Sequence, residues 1–272
     1  MHSWSLYMGK HGSKWGFAAI HGVPSLLGLL RLFVTSPLWT LKLLKARTTY
    51  FRTRELRHPL KTPDNFVIES TGELVSYWNF FVEHECWDDE FVNALRAQSK
   101  PVILDVGANA GLFTHWMWLL KPDAQFIVFE PLPKMANKIT EWGVRTGADI
   151  VLHQKAVSDH CGTAEFYSEG ENDLTAGLRP VSDKSLKLTV PLTTLDTVVP
   201  DKPILLAKVD VEGFECEVLS GGRRTMSRTR FLIIEAHTPD ALARIQKLLG
   251  TGWRTKAVGA SDYLMIHEAE VR

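Results

Sequence analysis

Three cysteines in 272 residues, Cys86, Cys161 and Cys216, are odd in number and widely spaced, and no C-x-x-C occurs. That excludes a disulfide framework and a thiolate zinc site, makes a reducing, cytoplasmic setting the default, and leaves each thiol as a small buried hydrophobe. Net charge is also missing: 31 basic and 31 acidic residues balance, so no global field draws in nucleic acid. No Asn/Asp-Pro-Pro-Tyr motif for a flipped base and no H-x-H or H-x-x-x-H pair is present, so base methylation and a histidine-rich metal site are not favoured. Internal repeats and low-complexity tracts are absent too. What remains, with 45% hydrophobic and 23% charged residues, is an ordinary globular composition, enough for one large α/β domain and a short appendage.

A long uninterrupted apolar run is lacking as well. Trp15 to Leu30 gives 16 uncharged residues before Arg31 breaks the run, and Pro24 and Pro37 fall inside the wider stretch that ends at Leu41. A spanning helix needs about 20 apolar residues, and a signal peptide fits poorly because the apolar run comes late and stays basic. Residues 1–57 hold nine Lys or Arg and one acid, Glu55, which leaves residues 58–272 at about −8. This segment reads as broken amphipathic helices built on Leu26, Leu27, Leu29, Leu30, Phe33, Leu41, Leu43 and Leu44. It is either a cap packed on the domain, a peripheral membrane contact with Arg31, Lys42, Lys45 and Arg47 at headgroup level, or a targeting segment.

Residues 58–100 form a lead-in. Phe66–Glu69 and Leu74–Trp78 flank Ser70-Thr71-Gly72-Glu73 and predict a β-hairpin; Trp87 to Gln98 has helical spacing and stops at Pro101. The acids Glu83, Glu85, Asp88, Asp89 and Glu90 read as a solvated helix start more readily than as a metal or substrate lip.

From residue 101 strands and helices alternate, the pattern of a mostly parallel sheet with helices on both faces. Val102 to Val106 runs into Gly107-Ala108-Asn109-Ala110-Gly111 and then an apolar helix. Such a strand, turn and helix brings helix N-terminal amides to a ligand. A dinucleotide site wants G-x-G-x-x-G, which Asn109 and Leu112 do not supply; a mononucleoside with an amino-acid tail, such as S-adenosylmethionine, needs less, with Asp105 or Asn109 as polar partners. The glycines alternatively serve only close strand–helix packing. Glu130 ends the next strand, Gln125–Phe129, at the place where an acid takes ribose hydroxyls. Further strands are expected at 150–156, 163–167, 187–192, 204–209 and 231–236, with helices at 134–146, 214–221 and 239–249 and a polar loop at 168–173, either surface excursion or substrate lid. The terminal runs 253–258 and 263–267 predict an antiparallel hairpin.

Ligands of open α/β sheets bind at the carboxyl ends of the strands. Each strand delivers a polar group there: Asp105 to Asn109, then Glu130, then Ser158 and Asp159, then Asp210 and Glu212, then Glu235 and His237. The last two pairs are two residues apart, so each pair shares a side while extended. Methyl transfer to a hydroxyl needs a base, and His237 or one of these carboxylates is the natural one. In the alternative, Glu212 only favours a helix N-terminus, His237 is satisfied by backbone, or Asp210, Glu235 and His237 hold a divalent cation, which is not favoured.

Five blocks in order carry a resemblance: Asp105-Val-Gly-Ala-Asn-Ala-Gly-Leu-Phe-Thr114, Phe129-Glu-Pro131, Ala156-Val-Ser-Asp159 with Gly162 and Ala164-Glu-Phe-Tyr167, Thr194-Leu-Asp196, and Lys208-Val-Asp-Val-Glu-Gly-Phe-Glu215. Together they resemble the FkbM family of S-adenosylmethionine-dependent methyltransferases. The resemblance implies a Rossmann-like class I methyltransferase fold and oxygen methylation of sugars, glycolipids or polyketides. By position, Gly107, Ala108, Asn109 and Gly111 would line the methionine end, Glu130 and Pro131 the ribose, and Ala156, Val157 and Ser158 the adenine edge, with Asp210 and Glu212 beside the transferred methyl. The expected acceptor is a carbohydrate or lipid-linked glycan hydroxyl, with a polyketide or other small molecule as the alternative and a silent cofactor-binding or membrane-associated scaffold as the reading of another class. Residues 1–57 match no part of the family pattern.

Overall fold

The computed structural model describes residues 29–30, 32–53, 55–56, 58–83, 86–168 and 186–268; the apolar run before residue 29 and the polar loop from Glu169 to Asp173 lie outside them. The chain divides into two compact units, Met1–Glu85 and Cys86–Arg272. In the first, residues 32–35 are helical and lead into α1 (Pro37–Thr53), where Pro37 falls in the first turn and its missing N–H costs little. The inward face carries buried Trp39 and Leu43, and Trp39 Nε1 donates to Tyr77 OH at 3.1 Å. Arg47 does not reach outward as expected of a headgroup contact: its guanidinium lies 3.6 Å from the centroid of the Trp78 ring, and burial lowers its pKa.

The expected hairpin at 66–78 is corrected. The two short antiparallel strands are β1 (Leu60–Lys61) and β2 (Val67–Ile68), and Thr71–Trp78 is a helix, α2, continued by a π-turn, Asn79–Glu83. Ser70 caps it by accepting from Glu73 N at 3.1 Å, while the Glu73 carboxylate reaches back to Glu69 N at 2.8 Å. The run Ser-Thr-Gly-Glu is therefore a helix-start box rather than a turn.

In the second unit, α3 (Asp89–Ala97) is capped by Asp88, whose side chain accepts from Phe91 N. Asp88 also pairs with Lys256, and Glu90 with Arg254 at 2.6 Å, so these two acids cap a helix and tie it to the terminal hairpin. Then follow β3 (Val102–Val106), α4 (Leu112–Leu120), β4 (Gln125–Phe129), α5 (Pro133–Thr146) and β5 (Asp149–His153). After an excursion come β9 (Ile204–Val209), α7 (Glu215–Ser220), α8 (Arg223–Met226), β10 (Thr229–Glu235), α9 (Pro239–Leu249), β11 (Trp253–Ala257) and β12 (Asp262–His267). The seven-stranded sheet runs β11-β12-β10-β9-β3-β4-β5. Pairings from β10 to β5 are parallel, and β12 runs antiparallel to both β10 and β11. This is the Rossmann-like α/β architecture, with the expected antiparallel C-terminal hairpin.

The excursion holds β6 (Ala156–Val157), β7 (Gly162–Ser168), β8 (Leu186–Thr193) and α6 (Leu195–Val198), with the three strands in a separate sheet ordered β6-β8-β7. The strand expected at 150–156 thus breaks in two: β5 ends at His153, Lys155 N turns back to the His153 carbonyl at 2.8 Å, and Ala156–Val157 joins β8 instead.

Strand alternation puts Val102, Leu104 and Val106 in one apolar cluster with Val218, Leu219, Met226 and Ile245 of α7, α8 and α9. Phe231 points to the other side and meets Phe91 of α3 edge-on at 5.8 Å. Helices therefore cover both faces, and residues of both parities on the central strands are buried.

Candidate active site

The strand order reverses between β3 and β9: from β3 the chain winds outward to β5, then returns to β9 and winds the other way. Ligands of open parallel sheets bind at such a switch, outside the carboxyl ends. The register there pairs Asp105 directly with Lys208. Asp105 is fully buried, and Thr114 Oγ1 donates to its Oδ2 at 2.6 Å. Lys208 is 5% exposed, and its Nζ donates to Asp210 Oδ2 at 2.8 Å. Burial opposes the Lys208 charge, but Asp210 and Asp105 outweigh it and raise its pKa. Burial likewise pushes Asp105 up, against the pull of Lys208 and Thr114. Two carboxylates share one ammonium, and Asp105 Oδ1 has no hydrogen-bond partner among the described residues. A site one negative charge in excess suits a cation with donors.

The glycine turn is closely packed, as the alternative reading of its two glycines had it. A Cβ on Gly107, whose φ is +81°, would lie 2.0 Å from the Asp210 carbonyl oxygen, and one on Gly111 would lie 2.8 Å from Ile139 Cγ1. Both glycines are therefore needed for packing of β9 and α5 against the turn. Its amides are also engaged: Gly107 N and Ala108 N donate to the Phe129 carbonyl at 3.0 and 3.1 Å, and Gly111 N to Ala108 O at 2.8 Å. Asn109, at φ +51°, donates its N–H to Glu130 Oε2 at 2.7 Å. The amides of Gly107, Ala108 and Asn109 thus hold the turn against the end of β4.

Glu130 is the clasp. Its other oxygen accepts from Leu132 N at 2.8 Å, and the side chain joins the turn after β3 to the start of α5. The residue is 4% exposed, and burial raises its pKa to about 7 against the two backbone donors. Each carboxylate oxygen keeps a second lone pair able to accept a further hydrogen bond. Pro131 and Ala108 are buried beside it.

A second group forms at the ends of β9 and β10. The chain is not extended through Glu212, whose φ is +54°, so Asp210 and Glu212 do not share a side as expected. Asp210 turns to Lys208, while Glu212, Glu235 and His237 bring their ligand atoms within 4.8 Å of one another. Glu215 fixes the bend by accepting from Gly213 N at 3.0 Å and Val211 N at 3.4 Å, which explains the second acid of the Glu-Gly-x-Glu run. Glu235 is 2% exposed; Ser261 Oγ donates to its Oε1 at 3.2 Å, and its Oε2 lies 3.0 Å from His237 Nε2. His237 is exposed on its outer side. A buried carboxylate behind an accessible imidazole is an arrangement for moving a proton, and the same three donors are chemically able to hold a divalent cation.

The remaining predicted residues lie in β6 and just after it. Ala156 and Val157 are buried in β6. Ser158 is 4% exposed and donates its N–H to the Thr193 carbonyl at 2.8 Å; Asp159 contacts His160 Nδ1 at 2.7 Å on the surface. Asp196 of the Thr-Leu-Asp block is a structural lock, accepting from Arg224 N, Thr225 N and Thr225 Oγ1 at 3.0, 2.7 and 2.8 Å. Sequence reasoning passed over Lys208 and Thr114. Alternation was the available signal: Lys208 precedes Asp210 by two on a buried strand, and a lysine there needs acids to pair with.

Asp105, Glu130, Asp210 and Lys208 fit a cofactor that carries a cation and a ribose. The 2-O-methyltransferase NoeI of Sinorhizobium fredii is 29% identical over 160 residues, 52% of this chain and 65% of that protein. The hexuronic acid methyltransferase AglP of Haloferax volcanii is 30% identical over 158 residues, 57% of this chain and 63% of that protein. The chain spans just under two thirds of the length of these curated relatives. A solved putative O-methyltransferase from Klebsiella pneumoniae is 12% identical with a TM-score of 0.43, over 84% of this chain and 90% of that one. The methyltransferase FkbM domain matches residues 105–254, the span that holds both polar groups, and the chain belongs to that family.

Proposed function

We propose that the protein is an S-adenosylmethionine-dependent O-methyltransferase whose acceptor is a hydroxyl of a carbohydrate or a lipid-linked glycan. The observation that carries the reaction type is the Glu235–His237 pair, 3.0 Å apart, next to Glu212 at the strand ends. Membership of the FkbM family supports the cofactor, the 2-O-methyltransferase NoeI supports transfer to oxygen, and the hexuronic acid methyltransferase AglP supports a sugar acceptor.

S-adenosylmethionine, when bound, supplies an electrophilic methyl group on a sulfonium. Asp105 and Asp210 complement that positive charge, while Lys208 keeps the two carboxylates from repelling each other. Glu130 accepts the ribose hydroxyls. Glu235, held by Ser261 and 3.0 Å from His237 Nε2, would favour the protonated imidazole, so that His237 would take the acceptor hydroxyl's proton as the methyl passes from the sulfonium sulfur to that oxygen and S-adenosylhomocysteine is left behind. Glu212 faces the same space and receives a hydrogen bond from a neighbouring sugar hydroxyl.

Transfer of labelled methyl from S-adenosylmethionine to a panel of free hexuronic acids, hexoses and lipid-linked oligosaccharides tests this reading. His237→Ala should lower turnover by about 10²–10⁴ and leave cofactor affinity within threefold, roughly 0.6 kcal/mol. Cofactor binding with transfer to a polyketide or other small molecule and to no sugar would overturn the acceptor class.

A further inference from the structure

One stripe of the helix that opens the first unit is exposed. Leu30, Phe33, Val34, Leu38 and Leu41 are 59%, 48%, 77%, 76% and 54% exposed, and Lys42, Lys45 and Arg52 are exposed farther along. Hydrogen bonds from Ser36 N to Leu32 O at 2.7 Å and from Thr40 N to Ser36 O at 3.0 Å carry helical spacing across the junction with α1. Positions 30, 34, 38, 41, 45 and 52 then follow one line at the helical repeat of about 3.6. The opposite line, Trp39 and Leu43, is buried, and Arg47 lies against Trp78.

Along the outward line polarity is segregated lengthwise. Its first half is apolar and its second half basic, and no Asp or Glu precedes Glu55 in the chain. Val34 and Lys45 are about 16 Å apart along the axis at about 1.5 Å per residue. A protein interface places an apolar centre inside a polar rim. An apolar end followed by cations matches a layered solvent, hydrocarbon beneath anionic headgroups, into which a helix inserts only part way. Among the described residues no helix is long and apolar enough to cross a membrane.

We propose that residues 30–52 dock the protein on an anionic lipid surface, with Phe33, Val34, Leu38 and Leu41 in the acyl boundary and Lys42, Lys45 and Arg52 at the headgroups. This proposal does not depend on the acceptor or on turnover.

The test is cosedimentation of the full chain with phosphatidylcholine vesicles, with and without phosphatidylglycerol, at low and high salt. Binding is expected to the anionic vesicles, to weaken with salt, and to be lost in both Leu38→Glu/Leu41→Glu and Lys42→Glu/Lys45→Glu. The lysine pair should cost tenfold or more, since each cation near such a surface contributes about fivefold. All four side chains face outward, and thermal unfolding of both variants should match the parent. Three results would overturn the proposal: no vesicle binding, equal binding to neutral and anionic vesicles, or a concentration-dependent dimer that Leu38→Glu/Leu41→Glu dissolves while no vesicle binds. The last would assign the stripe to a second copy of the chain.

Discussion

Glu130 does two jobs with one carboxylate, and burial opposes the ionised form that both of them use. Buried with a pKa raised to about 7, it ionises first in the unfolded chain. Below about pH 4.5 it is protonated in both states and adds no pH dependence. Between there and about pH 7 only the unfolded state loses the proton, so stability falls as pH rises; above about 7 both states are ionised and the slope ends. The full effect is on the order of 3 kcal/mol. Urea unfolding across this window should show the decline in the wild type and a flatter curve in Glu130→Gln. Ribose hydroxyls donate to the ionised form, so cofactor binding near pH 6 should release a proton, readable as a binding heat that depends on the buffer.

Lys208 has the reverse character, a cation whose charge is held on by Asp210 and Asp105. Lys208→Met leaves those carboxylates without their ammonium and should destabilise by about 3–5 kcal/mol. Adding Asp105→Asn removes one of the two charges and should recover part of that loss. A double variant no more stable than the single one would show that the three groups are not coupled.

At the scale of elements, the turn after β3 is held by contacts rather than by open amides. Gly107→Ala combines a positive φ with a Cβ 2.0 Å from a carbonyl oxygen. Gly213→Ala has a positive φ and nothing within 4 Å. Thermal unfolding should therefore separate them, with about 1 kcal/mol for Gly213→Ala and a clearly larger loss for Gly107→Ala. Equal losses would mean that β9 yields to the added methyl.

The central strands, their helices and the terminal hairpin were legible because apolar runs bounded by glycine and charge leave little choice of period. Two elements were not. Leu74–Trp78 is short and apolar, a pattern that strand and helix share, and the helix wins through Ser70 and Glu73. Ala156–Val157 looked like the end of β5, but its ladder partner is the distant β8, which no local pattern announces. At the site, the acids at the strand ends were readable by position. Their sorting into an Asp105–Lys208–Asp210 group and a Glu212–Glu235–His237 group was not, because it turns on the left-handed bend at Glu212.

Over the whole molecule, a neutral total hides a basic first segment and an acidic remainder. That division matches the proposed division of labour, with lipid contact on α1 and chemistry at the sheet edge of Cys86–Arg272. If proton transfer through Glu235 and His237 is the route, methyl transfer should persist in the presence of a chelator, and added Mg²⁺ or Mn²⁺ should not raise it. A chelator-sensitive rate restored by a divalent cation would reassign Glu212, Glu235 and His237 as ligands.

The most direct measurement is calorimetric titration of the full chain with S-adenosylmethionine, in parallel on Glu130→Ala and His237→Ala. Saturable one-to-one binding is expected, weakened about tenfold, or roughly 1.4 kcal/mol, by Glu130→Ala and unchanged by His237→Ala. A folded wild-type protein that binds no S-adenosylmethionine, or binds it with indifference to Glu130, would contradict the placement of the cofactor at the ends of β3 and β4.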